Sequence, residues 1–363
     1  MRPWFESEEG RAPGDKQGSE SAEEADPRAR EREALVADLA AAGIDLDPAR
    51  PGLHRHGDMV HEHDHPHPHA RSGPGERPAI GIVGAGAVGT ALGVALQRAG
   101  WPVAAVASRD RGRRDRFVRL VPGARAFAEA TAIVDEVELI ILCVPDDELH
   151  VLAGELRLYS GQAMIHTSGA LGAEVLAPAM AAGTQAGAFH PLVAFADTER
   201  AVEALHGAAI AIEGDEQLAG LLADMAETLG AVPVRLLPGT KAAYHAAAVL
   251  AAGGFIALLD AIAELGRVAG LDETGSLAIY GRLIEQTLGN ARALGIRAAL
   301  TGPMTRGDVG TLAAHLVTLR DHAPAALDLY RAAAVREIAL AESRGALAPE
   351  AALAMRKLLA TGA

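Results

Sequence analysis

The sequence predicts an α/β protein: a parallel-sheet domain with helices on its faces, followed by an all-α C-terminal domain. Three observations predict it. From Pro78 to Leu236 short apolar runs alternate with segments of helical character, the pattern of a parallel sheet. Beyond Gly239 the strand-like runs stop and only helical stretches follow. The third observation is Ala79–Asp110, reading AIGIVGAGAVGTALGVALQRAGWPVAAVASRD, in which Gly84, Gly86 and Gly89 have the spacing G-x-G-x-x-G. With apolar Ala79–Val83 before the glycines and Pro102–Ala107 after the small-residue helix, this is strand, tight turn, helix, strand. It is one βαβ unit of a Rossmann-type, dinucleotide-binding sheet.

Each residue of the turn has a physical reason. Gly84 permits the turn out of the strand, Gly86 lets the backbone approach a pyrophosphate, and Gly89 lets the helix pack on the strand. Ala87, Val88 and Gly89 open the helix, whose unpaired N–H groups suit phosphate oxygens. The second strand ends in Ser108 and Arg109, with Arg111, Arg113 and Arg114 close behind. An NAD site usually has Asp or Glu there to hold the ribose 2′-hydroxyl. A hydroxyl and guanidiniums suit a 2′-phosphate instead, so the expected cofactor is NADP.

The next strands are Val137–Val144, Gln162–Thr167, Gln185–Phe189, Ala208–Ile212 and Val232–Leu236. Three of them end in VPDD, HTSGA and FHPL on the edge that carries the glycine loop, where open α/β sheets bind ligands. Val144–Pro145 and Ser168–Gly169 are therefore expected beside a nicotinamide. The helices expected after Gly239 are Lys241–Ala269, Asp272–Leu294, Asp308–His322, Pro324–Ser343 and Pro349–Leu359. Asp272 and Asp308 sit where N-caps belong, and Pro324 and Pro349 suit first turns. Ala246–Leu259 is apolar on nearly every face and so is expected to be buried all round, with a homodimer through the helical domains as its cover.

The resulting division is an acidic, His-rich extension over 1–77, a nucleotide domain over 78–238 and a helical substrate and dimerisation domain over 239–363. The extension lacks the large apolar residues needed to offset ordering entropy. Within it Asp26, Pro27, Leu35, Val36, Leu39 and Gly43 have the pattern of a short capped helix. HRHGDMVHEHDHPHPH, from His54 to His69, holds seven of the 14 histidines. Such density binds Zn²⁺ or Ni²⁺ loosely, but a Pro-interrupted run lacks the fixed partners of a dedicated metal site, and no metal is expected.

Composition narrows the function classes. A net charge of −14 argues against a nucleic-acid partner. Cys143 is the single cysteine, so no internal disulfide forms and a reducing compartment fits. MRPWFESEEG lacks the regions of a signal peptide, and Ala246–Leu259 is shorter than a membrane span, with Gly253–Gly254 in its middle. The expectation is a cytoplasmic protein.

Two constellations could carry chemistry. In KAAYHAAAVLAAGG, Lys241 and His245 are four apart on one helix face. Either could protonate an oxygen as hydride reaches its carbon. An ordinary solvated lysine and a hydrogen-bonded core histidine are the plain alternatives. In ALTGPMTRGD, Arg306 beside a helix start suits a carboxylate, or else Asp308 is only the N-cap of the next helix. His315 follows on the same face. His166, Ser168 and His190 could form a nucleophile-and-base pair, but no G-x-S-x-G elbow surrounds Ser168 and no orienting acid is evident, so a hydrolase reading fails.

Taken in order, GAGAVGTALG, CVPDDEL, HTSGAL, FHPLVAF, KAAYHAAAV and LTGPMTRGD followed by His315–Leu316 resemble bacterial proteins with a Rossmann-like domain and a helical domain of the DUF2520 type. The resemblance runs from Ala79 to Tyr330. It implies kinship with pyrroline-5-carboxylate reductase and coenzyme F420-dependent NADP oxidoreductases, and a ketopantoate reductase-like activity. The family often has Asn where this chain has Gly253, which removes a polar contact. The expectation is an NADP-dependent reductase of a small 2-oxo acid, ketopantoate first. Lys241 or His245 would be proton donor and Arg306 the carboxylate ligand, with Ser168 and His190 near the reacting centre. The rivals are an imine reductase of the pyrroline-carboxylate kind and a catalytically silent NADP-binding regulator.

Overall fold

The computed structural model describes residues 34–38, 41, 76–158, 161–237 and 239–361. Residues 34–38 and 41 are helical, within the short helix expected there, while the histidine run lies outside the described residues. The chain divides into two compact units, Met1–Ala242 and Ala243–Ala363.

The first unit is built on an eight-stranded sheet of order β3-β2-β1-β4-β5-β6-β7-β8. The strands are β1 (Ile80–Val83), β2 (Val103–Ala107), β3 (Arg125–Phe127), β4 (Leu139–Leu142), β5 (Ala163–His166), β6 (Gln185–Pro191), β7 (Ala209–Glu213) and β8 (Val232–Arg235). Six helices join them: α1 (Ala87–Arg98), α2 (Arg111–Leu120), α3 (Asp146–Glu155), α4 (Ala177–Ala181), α5 (Thr198–Leu205) and α6 (Glu216–Thr228). Side-chain alternation explains the two-sided core. Leu139 and Ile141 pack with Ile80, Ile82, Leu92 and Phe117 on one face, while Ile140 and Leu142 pack with Met164 and Leu176 on the other. Chain order reverses at β1, which lies between β2 and β4. That opens the crevice in which such sheets bind ligands.

Two features depart from the expected sheet. The three-residue β3 is mostly exposed, so it has no hydrophobic run to announce it; it forms by pairing with the edge of β2. More consequentially, β7 runs antiparallel to β6, with Ala188 opposite Glu213 and Pro191 opposite Ile210. The eight-residue α5 lies between them. The thirteen-residue α6 does make a full crossover, and β8 is parallel to β7.

A helix of nine residues, α7 (Lys241–Val249), crosses the division between the units. In the second unit a π-helical turn, Leu250–Gly254, leads to α8 (Phe255–Val268), α9 (Glu273–Leu294), α10 (Ile296–Ala299), α11 (Pro303–Arg306), α12 (Val309–His322), α13 (Leu327–Ser343) and α14 (Pro349–Thr361). The single helix expected over Lys241–Ala269 is thus interrupted at Gly253–Gly254, where the absence of side chains eases a widened turn. Asp272 and Asp308 are N-caps as expected, accepting from Gly275 N–H at 2.7 Å and Thr311 N–H at 3.0 Å.

The core of this unit is Met304, Leu312, Leu316, Ile338 and Met355, all from α11 to α14. That placement leaves Ala246–Leu259 largely uncovered by its own chain: Leu250 is 73% and Ile256 64% exposed. The run Lys241–Val268 also proves, at 28 residues, long and apolar enough by length and composition to cross a membrane, because the glycines bend its hydrogen bonding without ending it.

Candidate active site

A groove of about 600 Å³ opens at the crevice of the first unit. Gly84 and Gly86 line it from the β1 turn, Ser108 and Arg109 from the end of β2, and Val144 and Pro145 from the end of β4. Gly84 has φ +103°, and a Cβ there would lie 2.2 Å from the Cys143 carbonyl oxygen. A Cβ on Gly89 would lie 2.0 Å from the Gly84 oxygen, so the helix sits directly on the strand turn. Gly86 differs: a Cβ there meets nothing within 4 Å, and as N-cap of α1 it provides no side-chain cap. Ala87 is exposed beside it and Val88 half-buried. The helix start therefore presents backbone N–H groups to open space, which is what a pyrophosphate requires. Cys143 lies behind this turn, its thiol pushed up to about 12 by burial, and is not a nucleophile.

The basic cluster at the end of β2 sorts by partner. Arg113 pairs with Asp110 and Arg111 with Asp115, within their own helix. Arg114 donates to the carbonyls of Ser108 and Arg109, clamping that backbone. Arg109 alone of these reaches another element, pairing with Glu148 of α3 at 3.1 Å. The groove thus fits a dinucleotide with a 2′-phosphate: an uncapped helix start, a glycine facing open space, a serine and an exposed guanidinium.

A second cluster lies at the C-terminal ends of β5 and β7. His166 is fully buried. Its Nε2 donates to the Gly172 carbonyl at 3.0 Å and its Nδ1 accepts from Ser168 N–H at 3.2 Å. Because a carbonyl only accepts and an amide N–H only donates, these partners fix a neutral tautomer. Burial lowers the imidazole to about 4, with the Lys241 charge adding to the effect. Ser168 is buried, and its Oγ accepts from Ala170 N–H (3.2 Å) and Leu171 N–H (3.1 Å). The histidine and serine therefore hold the HTSGA loop in shape, in keeping with the absence of a hydrolase arrangement. Half-buried His190 stands on β6, electrostatically coupled to His166.

Lys241 is only 6% exposed and its Nζ lies 3.3 Å from the Glu213 carboxylate. Burial lowers its pKa, against the opposing pull of Glu213, Glu174 and Asp146. Glu213 also accepts Ala173 N–H at 2.8 Å, so one carboxylate ties the HTSGA loop to the lysine. A cavity of about 540 Å³ adjoins them, lined by Ala170, Gly172, Glu174, Glu213, Arg235 and Lys241. A buried lysine with a depressed pKa, fixed by one carboxylate beside a cavity, is equipped for proton transfer.

His166 gives a pH prediction. Its folded pKa lies below the ordinary 6.5, so on acidification the unfolded chain protonates first. The stability this group contributes is complete above about pH 7 and is lost as pH falls from 6.5 towards 4, roughly 3 kcal/mol in all. Denaturant titrations of the His166→Gln variant should lack most of that loss; an unchanged pH profile would contradict the buried neutral imidazole.

In the second unit half-buried His245 stands one turn along α7 from Lys241. Arg306 is exposed at the end of α11. Asp308 is held low by its hydrogen bonds from Thr311, as an N-cap should be. His315 Nδ1 lies 2.8 Å from the Tyr330 hydroxyl. Among the described residues no cluster of three or more metal-ligating side chains occurs. Sequence reasoning missed Glu148, Glu213 and Glu174. Glu148 follows VPDD directly and could have been suspected; Glu213 became a partner only through the antiparallel placement of β7.

The Rossmann-like domain family matches residues 68–191, and the family described as a domain of unknown function, DUF2520, matches residues 208–337. No curated protein matched the chain. A candidate NADP oxidoreductase from Bacteroides fragilis superposes with a TM-score of 0.60 at 25% identity, covering 72% of this chain and 98% of its own. An imine reductase from Pseudomonas gives 0.57 at 19% identity, covering 75% and 99%. A 1-pyrroline-5-carboxylate reductase from Streptococcus pyogenes gives 0.52 at 17%, covering 74% and 99%. The last two share the fold.

Proposed function

We infer from the succession of a Rossmann-like domain and a DUF2520 domain, which this chain carries, that it is an NADP-dependent oxidoreductase reducing a small polarised double bond. The observation that carries the reading is the groove, where Gly84, Gly86, Ser108 and Arg109 converge without an acid at the end of β2. The likeness to a candidate NADP oxidoreductase supports the same cofactor.

Ser108 and Arg109 hold the 2′-phosphate, the first turn of α1 holds the pyrophosphate, and Val144 and Pro145 with Ser168 flank the ring. When bound, the cofactor supplies a hydride. Lys241 Nζ delivers the proton to the developing anion, with His245 as the competing donor. His166 and His190 keep the adjoining loop and strand in place. The substrate is a small 2-oxo acid, and ketopantoate enters on family resemblance alone. A second reading, reduction of a cyclic imine, is favoured by the three acids around Lys241, since an iminium is a cation.

The test is NADPH consumption with 2-oxo acids, ketopantoate among them, set against cyclic imines of similar size. Turnover of the first group alone supports the principal reading, and turnover of imines alone the second. No consumption with either, despite binding of NADPH, makes the chain a nucleotide-binding regulator.

The exposed apolar surface of α7 and α8 completes the proposal with a homodimer, a second copy covering Leu250 and Ile256. Light scattering at micromolar concentration should give twice the 37.4 kDa chain mass. A monomer would contradict it.

A further inference from the structure

One ion pair joins the two banks of the groove. Arg109 follows β2 and Glu148 stands in the first turn of α3 after β4, so the two flank the glycine loop of the β1 strand between them. Strands two apart lie about 10 Å from each other, and only a long side chain leaning inward from each bank closes that span. The pair closes it at 3.1 Å, and both residues line the groove. The backbone beneath Arg109 is clamped by Arg114, while the Arg109 side chain itself is 83% exposed. Its guanidinium can therefore swing without disturbing the loop. Glu148 is the less exposed partner, at 38%. Asp146 and Asp147 precede it in the same helical turn, so the helix start does not depend on Glu148 for favourable charge.

We infer that Glu148 competes with a nucleotide 2′-phosphate for Arg109 and so sets how strongly the groove favours the phosphorylated nucleotide. The inference rests on the NADP reading above. Glu148 holds Arg109 by one contact, Nη2 to Oε1 at 3.1 Å; a guanidinium that turns to offer both prongs to a phosphate gives that contact up, and a carboxylate left beside the phosphate repels it. Two-pronged binding of the 2′-phosphate draws Arg109 away from Glu148, whereas a nucleotide with a plain 2′-hydroxyl leaves the pair intact. Glu148 thus lowers affinity for NADPH and leaves NADH nearly untouched. The groove is selective by charge, and its selectivity is held below what Arg109 alone would give.

The experiment is a fluorescence titration of NADPH and NADH against the full chain, Glu148→Gln, Arg109→Ala and the double variant, with melting curves to verify folding. Glu148→Gln should tighten NADPH about three- to fivefold, the range open to a partly exposed ion pair, and change NADH less than about twofold. In the Arg109→Ala background the same substitution should change NADPH binding by less than about twofold. Equal tightening of both nucleotides, no change, or weakening of NADPH would overturn the inference. If the unmodified chain prefers NADPH and Arg109→Ala removes the preference, while Glu148→Gln is neutral, only the competition fails. If the unmodified chain shows no preference, the NADP reading fails and the competition with it.

Discussion

Replacing Lys241 with Ala should lower kcat by about 10²-fold, roughly 2.7 kcal/mol of transition-state stabilisation, once a substrate is in hand. The lysine lines the cavity beside the HTSGA loop, it is buried, and its Nζ is fixed at 3.3 Å from Glu213. A proton donor held this way loses no orientation at the moment of reaction. Removal also leaves Glu213 without its partner, so stability and turnover must be separated. Lys241→Met keeps the packing volume and should be as slow as the alanine variant, while melting closer to the unmodified protein. The pH profile adds a signature. Burial depresses the lysine, so activity should fall as pH rises through a value below the ordinary 10.5. Glu213 is one of the groups holding that value up, and Glu213→Gln should move the fall to lower pH. His245→Ala decides between the donors: if it abolishes turnover while Lys241→Ala retains it, the two roles are exchanged.

The second large effect is structural and divides the three glycines. Gly89→Ala places a methyl 2.0 Å from the Gly84 oxygen and 3.1 Å from both Cys143 and Ile82. The obstacle is backbone, so α1 must lift from the sheet, and a destabilisation of about 3 kcal/mol is expected. Gly86→Ala meets nothing within 4 Å and should melt normally. Its methyl instead occupies the space a pyrophosphate needs, and NADPH affinity should fall by about tenfold or more, about 1.4 kcal/mol. Thermal melts and nucleotide titrations on the two variants give opposite patterns if the assignment is correct. Gly86→Ala that binds normally would show that the phosphates lie elsewhere.

These contrasts also indicate what the sequence disclosed. The glycine turn was legible because the backbone leaves no room for a side chain at Gly84 or Gly89, and the flanking apolar runs gave its direction. The central strands were legible for a related reason: buried on both faces, β4 and β5 are continuous apolar runs. Short, exposed β3 carries no such signal. The reversed direction of β7 is a matter of long-range pairing with β6 that local pattern does not encode. Lys241 stood out by its position opening a helix, but its burial came from Glu213, 28 residues earlier in the chain, and through the antiparallel pairing. The long apolar helix was recognisable as apolar, yet its exposure follows from the helical unit building its core out of α11 to α14 instead. The Gly253–Gly254 pair was visible as a weak point, and the π-helical turn is its consequence.

The central claim is that the groove is built for a 2′-phosphorylated dinucleotide. The most direct measurement is a pair of equilibrium titrations of the unmodified chain with NADPH and NADH at one ionic strength. The account predicts tighter binding of NADPH by at least about tenfold, or 1.4 kcal/mol, with the order reversed when Ser108 becomes Asp and Arg109 becomes Ala. Equal affinity for the two nucleotides, or no binding of either, would contradict it.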